Sequence, residues 1–164
     1  MPATLNATLP EALRTVRTRA LFVLRLEVRP IIVVGATPGY FRRVGVVPAG
    51  SFGGERLSGE VLDGGSDWQT VRSDGATTLD VRLVLKTDDD ALIGMRYQGL
   101  RHGPPEIIAR LDHGEAVDPA SYYFRTNVVF ETAVPKYDWL NRILAVGIGY
   151  RQAAAVIYSL FEVL

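Results

Sequence analysis

The sequence predicts a mainly β protein, a single antiparallel β-barrel of about eight to ten strands with one or two short helices. Three observations support this prediction. Short apolar runs rich in β-branched residues recur along the chain, clusters of Gly, Pro, Ser and Asp separate them, and no long helical crossover joins them. Because many short strands must close on themselves or stack as two sheets, a β-sandwich is the alternative architecture.

A hairpin at 78–86 and 92–100 is the clearest strand prediction. Apolar residues at 79, 81, 83 and 85 alternate with Asp80, Arg82 and their neighbours, and the second run alternates in the same way around Tyr97. The acidic run 88–90 supplies the turn. The same reasoning predicts further strands at 20–28, 31–35, 40–47, 56–62, 122–132, 142–152 and 154–163.

Residues 1–17 form a predicted N-terminal segment, a short helix or a tail, ahead of one barrel domain at 18–164. Thr8 and Glu11 have the spacing of a capping box, and such a helix would cover one end of the barrel. A second short helix is predicted at 106–111, because two prolines precede it and His-Gly follows it.

The composition excludes several classes of function. Lys plus Arg and Asp plus Glu balance at 18 each, which argues against the basic surface that nucleic-acid binding needs. The chain has no cysteine, so disulfides and thiolate chemistry are excluded, and its two histidines do not have the spacing of a metal pair. No leader or membrane span is predicted. We therefore expect a cytoplasmic protein that binds no metal, cofactor, nucleic acid or membrane.

Eight strings of residues are informative in combination. They are 54–62 (GERLSGEVL), 65–69 (GSDWQ), 72–75 (RSDG), 79–82 (LDVR), 123–126 (YFRT), 130–132 (FET), 139–141 (WLN) and 146–151 (VGIGYR). Together they resemble the bacterial and fungal family called domain of unknown function 3237, over about residues 18–164. The resemblance implies a single antiparallel β-barrel and no assigned general activity. Asp90 departs from the expected pattern, which has Gly in the acidic turn, although Asp tolerates left-handed backbone.

Polar residues at alternate strand positions are the candidate active site. Asp80 and Arg82 share one strand face, and Arg125, Asn127 and Glu131 share another. If these faces line the lumen, Asp80 or Glu131 would be the general acid or base, and Arg125 or Arg82 would orient a carboxylate or stabilise an enolate. The alternative is that these faces are solvated and the opposite apolar faces form the core.

Aromatic residues complete the candidate binding site. Rings suit flat ligands, although core packing or closure of a barrel end is the alternative role. Asn141 lies between strands, where its amide would satisfy turn backbone groups. The predicted substrate-binding set is Arg82, Tyr97, Arg125, Trp68, Trp139 and Asn141.

Three functions remain open at this point. The first is a cofactor-independent isomerase or lyase that transfers protons on a small carbonyl-bearing or aromatic metabolite. The second is a carrier whose apolar lumen holds a hydrophobic ligand without catalysis. The third is an interaction protein that forms a homodimer. The enzyme hypothesis requires Asp80 or Glu131 inside a pocket beside an arginine, and the carrier hypothesis requires an apolar cavity.

Overall fold

The computed structural model describes residues 5–164 and is built mainly of antiparallel strands. The strands are β1 (Thr18–Glu27), β2 (Ile32–Ala36), β3 (Phe41–Val47), β4 (Ala49–Gly53), β5 (Ser58–Val61), β6 (Gly65–Val71), β7 (Thr77–Thr87), β8 (Leu92–His102), β9 (Tyr123–Glu131), β10 (Ala145–Arg151) and β11 (Ala155–Val163). The α-helices are α1 (Leu5–Thr8) and α2 (Pro105–Asp112), and the 3-10 helices are Glu11–Leu13, Pro119–Ser121 and Pro135–Arg142.

Eight of these strands close into a barrel. The ring runs β1–β4–β5–β7–β8–β9–β10–β11, and β11 pairs with β1 over its whole length. Closure leaves the ring without an exposed edge, which removes the template for edge-to-edge aggregation. The sequence-based prediction of a single antiparallel barrel is therefore confirmed, and the sandwich alternative is wrong.

The barrel wall changes strands along its length between β1 and β7. The second half of β7 pairs with β5, whereas its first half pairs with β6, which in turn pairs with β3. The backbone N–H of Arg29, just beyond β1, donates to the carbonyl of Val46 in β3 at 3.0 Å. At this end, β3 and β6 therefore form the wall in place of β4 and β5, and β2 pairs with β3 at the margin.

The two ends of the barrel differ in chemistry. At one end Phe22 packs on Phe52 and Phe130, with ring centroids 5.2 and 6.0 Å apart, and the 3-10 helix Pro135–Arg142 closes this end with the fully buried Leu140. At the other end, α2 packs the buried Leu111 against the core. Polar side chains lie inside the barrel beneath α2, which makes this end the candidate location of a functional site.

The helix predicted at 106–111 is confirmed by α2, which begins at the proline that follows Pro104 and ends before the left-handed Gly114. Asp90 adopts left-handed backbone with φ 66°, and the predicted hairpin forms around it. The strands β4 and β6 were not predicted, because Gly, Pro and Ser in 48–54 and Gly64–Gly65 suggested turns.

The N-terminal prediction is partly wrong. A helix does not start at Thr8; α1 ends there, because Pro10 disfavours helical backbone at Leu9. Leu13 and Val16 are 66% and 76% exposed and do not cover the barrel. In the part of the chain that the structure describes, no helix is long and apolar enough to cross a membrane.

Candidate functional site

The polar strand faces point outward, so the prediction that they line the lumen is wrong. Asp80, Arg82, Arg125 and Glu131 are all exposed. The alternate residues of the same strands, such as Val81 with no exposed surface, fill the interior instead. The reason is the period of two: burying the large apolar face places every second residue in solvent. The structure therefore does not place Asp80 or Glu131 in an enclosed pocket beside an arginine.

Some of the outward-facing residues do come together. An open groove of about 750 Å³ crosses the outer face of β8, β9 and β10, and Arg125 lies in it beside Gln98 and Asn127. The Arg125 guanidinium lies 5.0 Å from the ring centroid of Tyr123. This groove contains neither Asp80 nor Glu131.

The remaining predicted binding residues are dispersed. Trp68 is 51% exposed, on the outer face of β6. Trp139 lies at the apolar end, with the Arg56 guanidinium 4.2 Å from its ring centroid. The Asn141 side chain accepts from the backbone N–H of Thr132 at 2.8 Å and donates to its carbonyl at 3.0 Å, which confirms the predicted turn role. Tyr97 alone of the predicted set is buried in the lumen, at 2% exposure.

A small cavity lies inside the barrel at the α2 end, and we call its polar lining the lumen site. Its volume is about 20 Å³, enough for one water molecule. β6, β8, β10 and β11 each present inward-facing side chains to it. The lumen site consists of Asp67, Gln69, Tyr97, Arg101, Arg151 and Tyr158.

Asp67 is the acidic group of the lumen site. Its Oδ2 accepts a hydrogen bond from Gln69 Nε2 at 2.7 Å, whereas its Oδ1 is buried without a hydrogen-bond partner. Burial raises the pKa of the Asp67 carboxyl from 3.8 to about 6, against the opposing effects of the Gln69 hydrogen bond and the charge of Arg101. A carboxyl with this pKa exchanges protons readily near neutral pH.

Two tyrosines stand on neighbouring inward positions. The rings of Tyr97 and Tyr158 pack edge to face with centroids 5.2 Å apart, and both residues are 2% exposed. Burial, together with the charge of Asp67, raises the pKa of both hydroxyls. Both phenols therefore stay protonated at neutral pH, and their side chains interact with each other through a hydrogen bond.

Arg101 carries an unpaired positive charge. Its side chain is 3% exposed and its guanidinium lies 5.5 Å from the ring centroid of Phe124. Among the described residues it makes no hydrogen bond and no ion pair. Burial, followed by the charges of Arg151 and Arg43, lowers the pKa of Arg101 from 12.5 to about 10, so it stays charged at neutral pH.

Few polar side-chain contacts hold α2 and the neighbouring loops over the lumen site. Arg43 on β3 donates to Asp112 at the end of α2 across 3.4 Å, while the Arg43 Nε is buried without a partner. On the opposite side, the backbone N–H of Arg151 donates to the Tyr122 hydroxyl at 3.0 Å. Within the described range, no group of three or more His, Cys, Asp or Glu side chains is placed to hold a metal ion.

Sequence reasoning missed five of the six residues of the lumen site, although a signal for some of them was present. On β8 the predicted apolar face continues from Tyr97 through Gly99 to Arg101 at the same period of two. Extending each inward face to the end of its strand would have found Arg101 and, on β10, Arg151. Asp67 and Gln69 lie on a strand that was not predicted.

Comparison with known proteins agrees with this architecture. The family model described as "Protein of unknown function (DUF3237)" matches residues 16–163. This chain belongs to that family. A UPF0311 protein of Rhodopseudomonas palustris is 35% identical over 150 residues, which is 92% of this chain and 98% of the relative. Its crystal structure superposes with a TM-score of 0.89, covering 92% of this chain and 99% of that one.

Two further solved structures share the barrel. A β-barrel-like protein of Acinetobacter baumannii is 38% identical, has a TM-score of 0.80, and is covered over 97% of its length by 92% of this chain. A protein of Penicillium herquei, described as an enzyme, is 20% identical with a TM-score of 0.67, and the match covers 91% of this chain and 95% of that one. At this identity the fungal structure shows the fold alone.

Proposed function

We propose that this protein is a cofactor-independent enzyme that transfers a proton on a small carbonyl-bearing or aromatic metabolite, in the manner of an isomerase or a lyase. One observation carries the proposal: Asp67, with one carboxylate oxygen unpartnered, and Arg101, whose guanidinium makes no hydrogen bond or ion pair among the described residues, line the same cavity. In a structural ion pair, the Asp67 carboxylate and the Arg101 guanidinium would be in direct contact. Catalysis instead requires the two groups to stay apart, with the reacting group between them.

Asp67 is the acid–base group of the proposal. General acid–base catalysis is most effective when the pKa lies close to the working pH, and the pKa of about 6 meets this condition. The ionised carboxylate takes a proton from a carbon next to a carbonyl, and the electron pair of that C–H bond moves onto the carbonyl oxygen as an enolate. Return of the proton to a different carbon gives the isomer, and loss of a neighbouring leaving group gives the lyase product.

Tyr97 and Tyr158 suit the enolate oxygen. The two hydroxyls are protonated at neutral pH and hydrogen-bonded to each other, so the pair can donate a hydrogen bond to developing negative charge without losing a proton. The positive charge of Arg101 acts in the same direction inside a lumen from which bulk water is largely excluded. These three side chains therefore favour the charged intermediate over the neutral substrate, which is the requirement for lowering the barrier.

The size of the cavity implies a conformational step. A cavity of about 20 Å³ admits only one small group, so a metabolite must enter while α2 is displaced from the barrel end. The long hydrogen bond between Arg43 and Asp112 is a side-chain link that such a movement would break. The carrier alternative requires a larger rearrangement, because a carrier has to enclose a whole hydrophobic ligand, whereas core side chains fill most of this lumen.

Proton abstraction can be tested before the natural substrate is known. Carbon acids such as pyruvate, acetylacetone and phenylacetone are incubated with the protein in D₂O, and C–H to C–D exchange is followed by proton NMR. We expect the protein to accelerate exchange of at least one compound above buffer and Asp67→Asn to abolish the acceleration. Asp80→Asn, which removes a carboxylate from the outer face, should retain it.

The outcomes separate the hypotheses. Acceleration that survives in Asp67→Asn but is lost in Asp80→Asn would return the catalytic role to the residue first predicted from the sequence. No acceleration with any compound would count against the enzyme. A circular dichroism spectrum and an unfolding curve for each variant confirm that the barrel is intact.

A further inference from the structure

The lumen site contains more positive charge than its carboxylates neutralise. Three arginines lie near one another here, Arg43, Arg101 and Arg151. Burial, followed by repulsion from the neighbouring arginines, lowers the pKa of Arg101 and of Arg151. The carboxylates beside them are Asp67 and Asp112. With all five groups ionised, one positive charge remains without a partner.

Another buried charge in this chain, that of Glu162, is directly paired with charges of opposite sign. At the opposite end of the barrel Glu162, 7% exposed, contacts Arg19 at 2.8 Å and Arg56 at 2.5 Å through the same oxygen. The buried Arg101 has no such contact, although Asp67 lines the same cavity. A buried charge without a partner is costly, so its retention indicates a partner that arrives from outside.

We infer that the lumen site binds its substrate through a single carboxylate group, which Arg101 and Arg151 hold at the α2 end of the barrel. The inference rests on the proposed function and adds the substrate class, a small monocarboxylate that also bears the carbonyl or aromatic group. Guanidinium groups bind planar carboxylates through paired hydrogen bonds, and both arginines line the cavity.

Charge and size both favour a monocarboxylate over a phosphate ester. One negative charge neutralises the site, whereas a phosphate monoester carries nearly two at neutral pH. A carboxylate is flat and has fewer atoms than a phosphate, so it requires less widening of a cavity that has room for one water molecule. Anchoring the carboxylate at Arg101 and Arg151 would leave the carbon chain of the substrate towards Asp67 and the two tyrosines, which line the same cavity.

Binding can be measured without turnover. Calorimetric titrations with pyruvate and benzoate are compared with titrations of the uncharged pyruvamide and benzamide and of inorganic phosphate, all at equal ionic strength. We expect a carboxylate to bind, with the amides and phosphate weaker by about tenfold or more. Arg101→Met should weaken carboxylate binding by about tenfold or more, and Arg151→Gln should weaken it in the same direction.

Two variants make the result decisive. Arg125→Met removes an exposed guanidinium from the outer groove and should leave carboxylate binding unchanged, and Asp67→Asn should bind carboxylates at least as tightly because it removes a like charge. Equal affinity for carboxylate and amide, or unchanged binding in Arg101→Met, would overturn the inference. Exchange activity without carboxylate binding would refute the inference alone, whereas carboxylate binding without exchange would refute the proposed reaction and leave the anion site.

Discussion

Replacing Asp67 by Asn should stabilise the barrel at neutral pH and change the way in which stability depends on pH. The change of the Asp67 pKa from 3.8 to about 6 corresponds to about 3 kcal/mol of cost to the folded state, since one pKa unit equals about 1.4 kcal/mol. This cost already includes the favourable hydrogen bond from Gln69, which is among the effects that oppose the rise in the pKa. A neutral amide avoids the cost, so the gain expected at pH 8 is up to about 3 kcal/mol.

The sign of the pH effect follows from proton binding. Between about pH 4 and pH 6 the folded protein holds the Asp67 proton more tightly than the unfolded chain does, so this residue makes stability fall as pH rises. Well below pH 4 both states are protonated and the cost vanishes, whereas at pH 4 a small part of it remains. The stability difference between Asp67→Asn and the parent should therefore change by about 2–3 kcal/mol between pH 4 and pH 8.

Urea unfolding at pH 4, 6 and 8, followed by the fluorescence of Trp68 and Trp139, gives the required free energies. Asp80→Asn is the matched control, because it removes an exposed carboxylate from the neighbouring strand and should run parallel to the parent at every pH. If Asp67→Asn also runs parallel to the parent, the Asp67 carboxyl is solvated like an ordinary one. That result would remove the basis of the proposed acid–base role.

Two further substitutions test the lumen from different sides. Arg101→Met should raise the free energy of unfolding at pH 7 by about 1–3 kcal/mol in urea unfolding, because it removes a buried charge without a partner. A decrease of similar size would show that the guanidinium stabilises the fold. Arg125→Met, at an exposed position, is the control and should have little effect. Gly149→Ala would place a Cβ 2.6 Å from Cε1 of the buried Phe124 and should lower thermal and urea stability by about 1–3 kcal/mol. Gly53→Ala, where a Cβ meets nothing within 4 Å, is its control and should cost distinctly less.

The fold could be predicted from the sequence where one strand face is continuously apolar. In β7 and β8 alternation runs for a whole strand, and the predicted hairpin forms around Asp90. β4 lacks this pattern because glycines interrupt it, and β6 lacks it because its inward positions hold Gly65, Asp67 and Gln69 instead of apolar residues. At Gly50 and Gly65 a Cβ would meet Arg25 backbone or the Leu83 side chain, so these glycines permit close packing in the wall where the sequence suggested turns.

The site was harder to predict, because alternation separates two faces without assigning polar residues to function. Asp80 and Glu131 attracted attention because they interrupt hydrophobic strands, yet interruption at every second position is what an outward face produces. The informative departure is the reverse, a polar residue on the apolar face. Tyr97 met this criterion and lies in the lumen site, while Arg101 lay just beyond the predicted strand end.

The residues of the lumen site lie at one end of the barrel, and antiparallel topology explains their positions in the sequence. Another inward-facing charge, Glu162, lies at the opposite end and is paired with Arg19 and Arg56. A strand that runs towards α2 has its inward polar residue late, as β8 does with Arg101 and β10 with Arg151. A strand that runs away from α2 has it early, as β11 does with Tyr158 and β6 with Asp67. Side chains at one end of an antiparallel barrel come from late positions on one strand and early positions on the next. Residues far apart in the sequence, from Asp67 to Tyr158, therefore meet at the α2 end, where we propose both proton transfer and carboxylate binding.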